Sequence, residues 1–161
     1  MVHLAAVFGT LLLDQATKLA VDRIIPLYGS VTVIPGFFNL VHVRNKGMAF
    51  GMMNRPGQDL FFFLLVAATV IAIGVLAGWY YHERDNRRFS FLLGICLMIG
   101  GAAGNLVDRI RLREVLDFMD LYLGSYHWPA FNVADSAVSI GAVLVAVGVL
   151  RSGHRPARKP R

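Results

Sequence analysis

Residues 60–79 read LFFFLLVAATVIAIGVLAGW, a run without a single charge. A helix that crosses a bilayer needs about 20 mostly apolar residues, and this run supplies them. Residues 89–107 form a second uncharged run, with Asn105 as its main polar residue. Residues 130–150 form a third, apolar except near its start, where Asn132, Asp135 and Ser136 sit. Residues 4–21 form a fourth, interrupted by Asp14, Gln15, Thr17 and Lys18. This first run lacks the basic flank and A-x-A-like site of a cleaved signal peptide and carries a charged pair where such a peptide is apolar. It reads as a retained span.

Composition agrees. Of 161 residues, 56% are hydrophobic and 16% charged, against about 25% charged in ordinary soluble domains. A water-soluble fold of this size cannot hide so much apolar surface, and disorder, collagen-like repeats and a disulfide scaffold are excluded. The single cysteine, Cys96, rules out an intramolecular disulfide and a Cys-based zinc site. It lies within an apolar run and reads as a buried, inert thiol. The net charge of +6 would suggest nucleic acid in a soluble protein. Here the basic residues fringe apolar runs, so no nucleic-acid partner is expected. The expectation is a single membrane domain over residues 1–161, with spans at about 4–21, 60–79, 89–107 and 130–150, outer segments at 22–59 and 108–129, and a disordered basic tail at 151–161.

Four spans put both termini on one side. The loop at 82–88 is short and holds Arg84, Arg87 and Arg88, and the tail is denser still in basic residues. Short basic loops stay cytoplasmic, which places both termini inside and the two longer segments outside. In the first outer segment Val31, Val33, Phe37, Leu40, Val41 and Val43 are strand formers punctuated by Pro35-Gly36, as in a small antiparallel sheet on the membrane surface. The second mixes acidic and large apolar residues at 115–121 and is expected at the lipid–water interface.

Charges inside spans are costly and need a reason. In this topology Asp14 and Lys18, then Asn105, Asp108 and Arg109, then Asn132 and Asp135 all fall toward the outer ends of their spans, with Asp117 and Asp120 on the loop between the last two. Each group has a plain structural reading. Asp14 and Lys18, at i,i+4, make an ion pair. Asn105, Asp108 and Arg109 share one helix face as a polar helix end. Asn132 and Asp135 have the spacing of an N-cap with its third position. Asp117 and Asp120 read as solvated loop acids. The stretch Gly100-Gly101-Ala102-Ala103-Gly104 suits close helix packing. Taken together, the groups converge at one depth. Two facing carboxylates there would share a proton, one activating water while the other donates to the substrate. That chemistry needs no metal and no cofactor, and none is expected. His3, His42, His82, His127 and His154 show no partner in the sequence, so a Ser or Cys nucleophile is poorly supported. An ion or proton pathway and a membrane scaffold stay open as other classes. The apolar inner halves of the spans speak against a continuous path.

Five blocks in order carry a resemblance: residues 14–18 (DQATK), 45–51 (NKGMAFG), 100–109 (GGAAGNLVDR), 115–118 (VLDF) and 131–136 (FNVADS). The chain resembles lipoprotein signal peptidase, or signal peptidase II, of bacterial inner membranes. The resemblance implies an all-α integral membrane protein of four transmembrane helices with a small periplasmic β-sheet cradle. It further implies an aspartic endopeptidase that removes signal peptides from diacylglyceryl-modified prolipoproteins, cutting just before the lipidated cysteine, and that is a target of the cyclic peptide globomycin. The implied catalytic pair is Asp117 and Asp135. Asn45, Asn105, Arg109 and Asn132 match substrate-binding positions, and Asp14, Lys18, Asp108, Gly101, Gly104 and Ala134 match supporting ones. Asp120 lies outside the matching block. A short mobile helix near residues 49–54 is implied over the cleft, where Met48 replaces the family's usual small residue. The implied partners are the lipid-modified substrate and membrane lipids, and the chain is expected to act as a monomer.

Overall fold

The computed structural model describes residues 1–47, 58–85 and 88–152. In chain order the elements are α1 (Val2–Ile24), β1 (Ser30–Ile34), β2 (Phe38–Asn45), α2 (Gln58–Glu83), α3 (Phe89–Leu112), β3 (Val115–Leu123), β4 (Tyr126–His127) and α4 (Val133–Ser152). All four helices are long and apolar enough to cross a membrane. α3 runs on past Val107 to Leu112, which keeps Asp108 and Arg109 on the helix with Asn105, as their spacing predicts. The implied covering helix near 49–54, Met48 and most of the basic tail lie outside the described residues.

The distribution of apolar surface is that of a lipid-facing bundle. Phe63, Ile71, Val75 and Val143 are all more than half exposed. Buried positions instead include Asp14, Lys18, Asn105, Asp108, Asp117 and Asn132. An apolar exterior of this extent is stable only against hydrocarbon.

α3 is the central helix, and small residues let its neighbours touch its backbone. A Cβ placed on Gly94 would lie 2.7 Å from the Gly141 carbonyl oxygen of α4. One on Gly100 would lie 2.7 Å from the Val7 carbonyl oxygen of α1, and one on Gly101 would strike the Ala134 carbonyl. The small-residue stretch thus serves close packing, as its composition predicts. At the far end of the bundle His3 accepts or donates at 2.8 Å with the Tyr80 hydroxyl and stacks on Phe89, while Phe91 lies against Gly148. The starts of α1 and α3 and the ends of α2 and α4 therefore share one end, opposite the sheet.

The sheet is antiparallel, in the order β1-β2-β3-β4. Pro35-Gly36 turns β1 into β2, with Gly36 at φ 81°, as the strand formers predict. The second outer segment forms a strand that its sequence did not suggest: residues 115–121 make up most of β3, paired with β2 through Val43↔Asp117 and Asn39↔Asp120. Leu116 and Phe118 of this strand pack with Val21 and Ile25 of α1. That apolar cluster fastens the sheet to the end of the bundle.

The α3–α4 contact yields a test. Gly94→Leu drives a side chain against the Gly141 carbonyl and the Leu144 and Val145 side chains of α4, and overpacking of this kind costs about 1–3 kcal/mol. It should lower the unfolding midpoint of the purified protein in detergent by several degrees. Gly74→Leu, on α2 with nothing within 4 Å of the new Cβ, should leave the midpoint in place.

Candidate active site

The site forms where the sheet meets the ends of α1 and α3 and the start of α4. Asn132 opens α4 as its N-cap. Its Oδ1 accepts the Asp135 backbone N–H at 3.0 Å, and Asp135 Oδ2 accepts the Asn132 N–H at 3.2 Å. This reciprocal pair is a capping box. The Asn132 amide nitrogen is thereby left to face the sheet, where it donates to Asp117 Oδ1 at 2.7 Å. One side chain both starts a helix and ties Asp117 to the element that carries Asp135.

Asn105 plays the matching part from α3. Its Oδ1 accepts from Lys18 Nζ at 2.9 Å. A lysine ammonium has only donors to offer, which fixes which way the amide points. The Asn105 nitrogen then donates to Asp135 Oδ1 at 2.8 Å. Asn45, at the end of β2, donates to Asp117 Oδ2 at 3.0 Å and is itself oriented by accepting the Gly47 N–H at 2.7 Å. Every oxygen of Asp117 and Asp135 thus receives an N–H.

Beneath this pair lies a buried charge cluster. Lys18 Nζ is 2.8 Å from Asp14 Oδ2 and 2.8 Å from Asp108 Oδ2, so the expected i,i+4 pair is one half of a three-membered set. Each carboxylate also holds a backbone amide. Asp14 Oδ1 accepts the Ala134 N–H at 2.9 Å, and Asp108 Oδ2 accepts the Leu116 N–H at 3.2 Å. Ala134 precedes Asp135 and Leu116 precedes Asp117. Gln15, not singled out in the sequence, spans the cluster by donating to Asp108 Oδ1 at 2.9 Å and to the Gly104 carbonyl at 3.2 Å. Its sequence signals are its place between Asp14 and Lys18 in a costly polar stretch and within the matching block at residues 14–18. Gly104 is small because a Cβ there would lie 2.5 Å from Asp14 Oδ2.

Burial pushes the Asp117 carboxyl up to about 6, and the charge of Asp135 adds to the rise. The amides of Asn45 and Asn132 and the Lys18 ammonium oppose it. Arg109 is half-buried on α3 and attracts Asp135, Asp108 and Asp117 through space. Asp117 is therefore not a solvated loop acid, and neither is Asp120. Asp120 belongs to the other face of β3, where it accepts from Asn39 at 2.9 Å and pairs with His127 at 2.9 Å. Burial alone would raise its carboxyl, but these partners hold it below the ordinary value.

The histidines also correct an expectation, since three have clear partners. His127 pairs with Asp120 and His3 with Tyr80. His42 donates from Nδ1 to the Ile25 carbonyl at 2.8 Å and accepts from Arg44 Nε at 3.3 Å. None of these bonds reaches Asp117 or Asp135. Cys96 is buried, as expected. Among the described residues no group of three or more His, Cys, Asp or Glu has metal-holding geometry.

The signal peptidase (SPase) II family profile matches residues 6–151. The lipoprotein signal peptidase of Geobacter sulfurreducens is 46% identical over 95% of this chain and 94% of its own length. That of Maridesulfovibrio salexigens is 48% identical over 89% and 91%. A bacterial membrane enzyme structure determined in meso at 2.3 Å superposes with a TM-score of 0.80 at 30% identity, covering 99% of this chain and 94% of that one. A second, at 1.9 Å, gives 0.78 at 32% identity over 93% of each. A profile matched along nearly the whole chain, relatives of this identity and a shared fold agree: the chain belongs to the signal peptidase II family of membrane aspartic peptidases.

Proposed function

We propose that the chain removes signal peptides from diacylglyceryl-modified bacterial prolipoproteins, cutting just before the lipidated cysteine, with Asp117 and Asp135 as the catalytic pair. The observation that carries this reading is the Asn132 bridge, which joins a buried acid on β3 to a second acid in the first turn of α4. Asp117, whose carboxyl is raised to about 6, holds the resting proton. Asp135 takes a proton from a water molecule, and the resulting hydroxide attacks the scissile carbonyl carbon. Asp117 gives its proton to the carbonyl oxygen. Collapse of the tetrahedral intermediate returns that proton to Asp117. Asp135 then passes its proton to the leaving nitrogen, the new amino terminus of the lipidated cysteine.

Asn45, Asn105, Asn132 and Arg109 surround the pair with donors for the substrate backbone and the developing oxyanion. Asp14, Lys18 and Asp108 hold the backbone that carries the two acids, and Gly101, Gly104 and Ala134 make room for that packing. A diacylated substrate leaves the bilayer reluctantly, since each buried CH₂ contributes about 0.8 kcal/mol. Its protease must therefore meet it at the membrane surface, which suits a site at the sheet end of the bundle. The basic residues Arg84, Arg88 and Arg151 lie at the opposite end. By the positive-inside rule that end and both termini are cytoplasmic, and the site faces the periplasm at the outer leaflet of the inner membrane. One chain supplies every group named, which suits an enzyme acting as a monomer among membrane lipids.

An ion or proton pathway fits less well. Among the described helical residues, Thr10 is the only buried polar side chain on the far side of the Asp14–Asn105 level.

Two measurements test the assignment. Asp117→Asn and Asp135→Asn should each lower cleavage of a diacylglyceryl-modified prolipoprotein by about a thousandfold or more in a gel-shift assay. The purified variants should keep the wild-type unfolding midpoint, and substantial activity in either would remove that residue from the pair. The second measurement is a pH profile. If Asp117 is the acid, kcat/KM falls as pH rises through its titration near 6. The Asn45 hydrogen bond favours the ionised carboxylate, so Asn45→Leu should move this alkaline limb to higher pH. A limb that stays fixed or moves down contradicts the role given to Asp117.

A further inference from the structure

A cavity of about 400 Å³ opens beside Asp135. Leu121, Trp128 and Phe131 wall it on the sheet side, and Asp135, Ser139 and Ile140 wall it from α4. Leu121 lies four residues along β3 from Asp117 and so shares its face of the strand. The cavity therefore begins at Asp135, on the strand face that also carries Asp117, and lies between β3 and α4. Its volume is in the range of ligand pockets and exceeds the gap left by one side chain.

We propose that this cavity is the subsite for one ester-linked acyl chain of the lipidated residue, an inference that rests on the peptidase reading above. Three features favour that occupant. First, apart from Asp135 the lining is uncharged, with no cation to hold a phosphate headgroup. Its neutral donors, the Ser139 hydroxyl and the Trp128 indole N–H, match an ester, which offers only acceptors. Second, the wall continues along α4 as Ile140, Val143 and Val147, which are 56%, 62% and 37% exposed. Spaced three and four residues apart, they form one apolar stripe on a membrane-crossing helix. A chain seated in the cavity can run down this stripe into hydrocarbon, whereas a pocket for a peptide side chain needs no open floor. Third, Trp128 is 58% exposed at the cavity wall, and an indole with an apolar body and one polar edge suits the level where ester groups lie.

The test uses two synthetic prolipoprotein peptides of one sequence, carrying dipalmitoylglyceryl or dihexanoylglyceryl on the cysteine, and the full-length enzyme in detergent. A chain entering from a micelle gains packing and little hydrophobic transfer, so the preference is modest, about fivefold in kcat/KM for the long chain. Ser139→Phe and Ile140→Trp fill the cavity and should bring that preference toward parity. A second readout does not depend on those variants. A diazirine at the end of the long acyl chain, bound to the Asp117→Asn enzyme and photolysed, should label Leu121, Trp128, Phe131 or the α4 residues that line the cavity and its stripe. The inference is overturned if both filled variants keep the long-chain preference. It is also overturned if the label falls on α1 or α2, or if a diazirine on a signal-peptide side chain labels the cavity instead. Wild-type enzyme that is folded yet cleaves neither peptide would overturn the peptidase reading itself.

Discussion

One ammonium organises this protein. Lys18 lies almost fully buried, with Asp14, Asp108 and Asn105 as its three acceptors. A lysine ammonium offers three donors, so its hydrogen-bonding capacity is filled. Each bond then fixes something further away. The bond to Asn105 decides which end of that amide faces Asp135. The bonds to Asp14 and Asp108 hold two carboxylates whose other contacts reach the Ala134 and Leu116 amides. Those amides stand one residue ahead of Asp135 and Asp117, the two acids proposed as the catalytic pair. A buried ion pair often contributes little net stability against an apolar replacement, yet losing one partner costs about 3–5 kcal/mol because the other charge is stranded. The cluster is therefore better understood as fixing position than as adding stability. It locks strand β3 and the start of α4 to the ends of α1 and α3 in one register.

The bilayer explains why this polar cluster can be so well buried. In a soluble domain an apolar core excludes water from a site. Here lipid covers the outside, and close contact among α1, α3 and α4 must do the excluding. Gly100, Gly101 and Gly104 let backbones and the Asp14 side chain approach α3 directly. The small residues and the charges belong to one design. Without the first, the second would be left in hydrocarbon, where unpaired charge is expensive. The hydrolysis proposed for Asp117 and Asp135 still needs water, and their place at the end of the bundle, beneath the sheet, suits that.

Much of this was legible in the sequence because it is local. The four spans follow from run length, the face shared by Asn105, Asp108 and Arg109 from helical spacing, and the capping box from residues 132–135. What was hidden depends on pairing between distant strands. Residues 115–118 are all buried, since one face of β3 meets α1 and the other meets the site. The polar–apolar alternation that marks a strand is absent there, and the segment reads as an interfacial stretch. The Asp120–His127 pair and the His42–Ile25 bond likewise need strand register or the full path of the backbone to be seen. Gln15 was missed for a different reason. Its partners Asp108 and Gly104 lie on another helix, and only the packing of α1 on α3 brings them together.

The choice between strand and helix at 115–121 also decides the chemistry. Asp117 and Asp120 are three residues apart. On a helix they would share a face, and either could serve as the partner of Asp135. On a strand an odd separation sends them to opposite faces. Asp117 then turns toward Asn45, Asn132 and α4, while Asp120 turns toward Asn39 and His127. The two environments drive the carboxyls in opposite directions. Burial near a second acid raises Asp117 to about 6. Asp120 is also burdened by burial, but an amide and an imidazole bring it below its ordinary value. Of the two, only Asp117 is shifted toward the proton-holding role proposed for it, so strand parity separates it from the acid that braces the sheet.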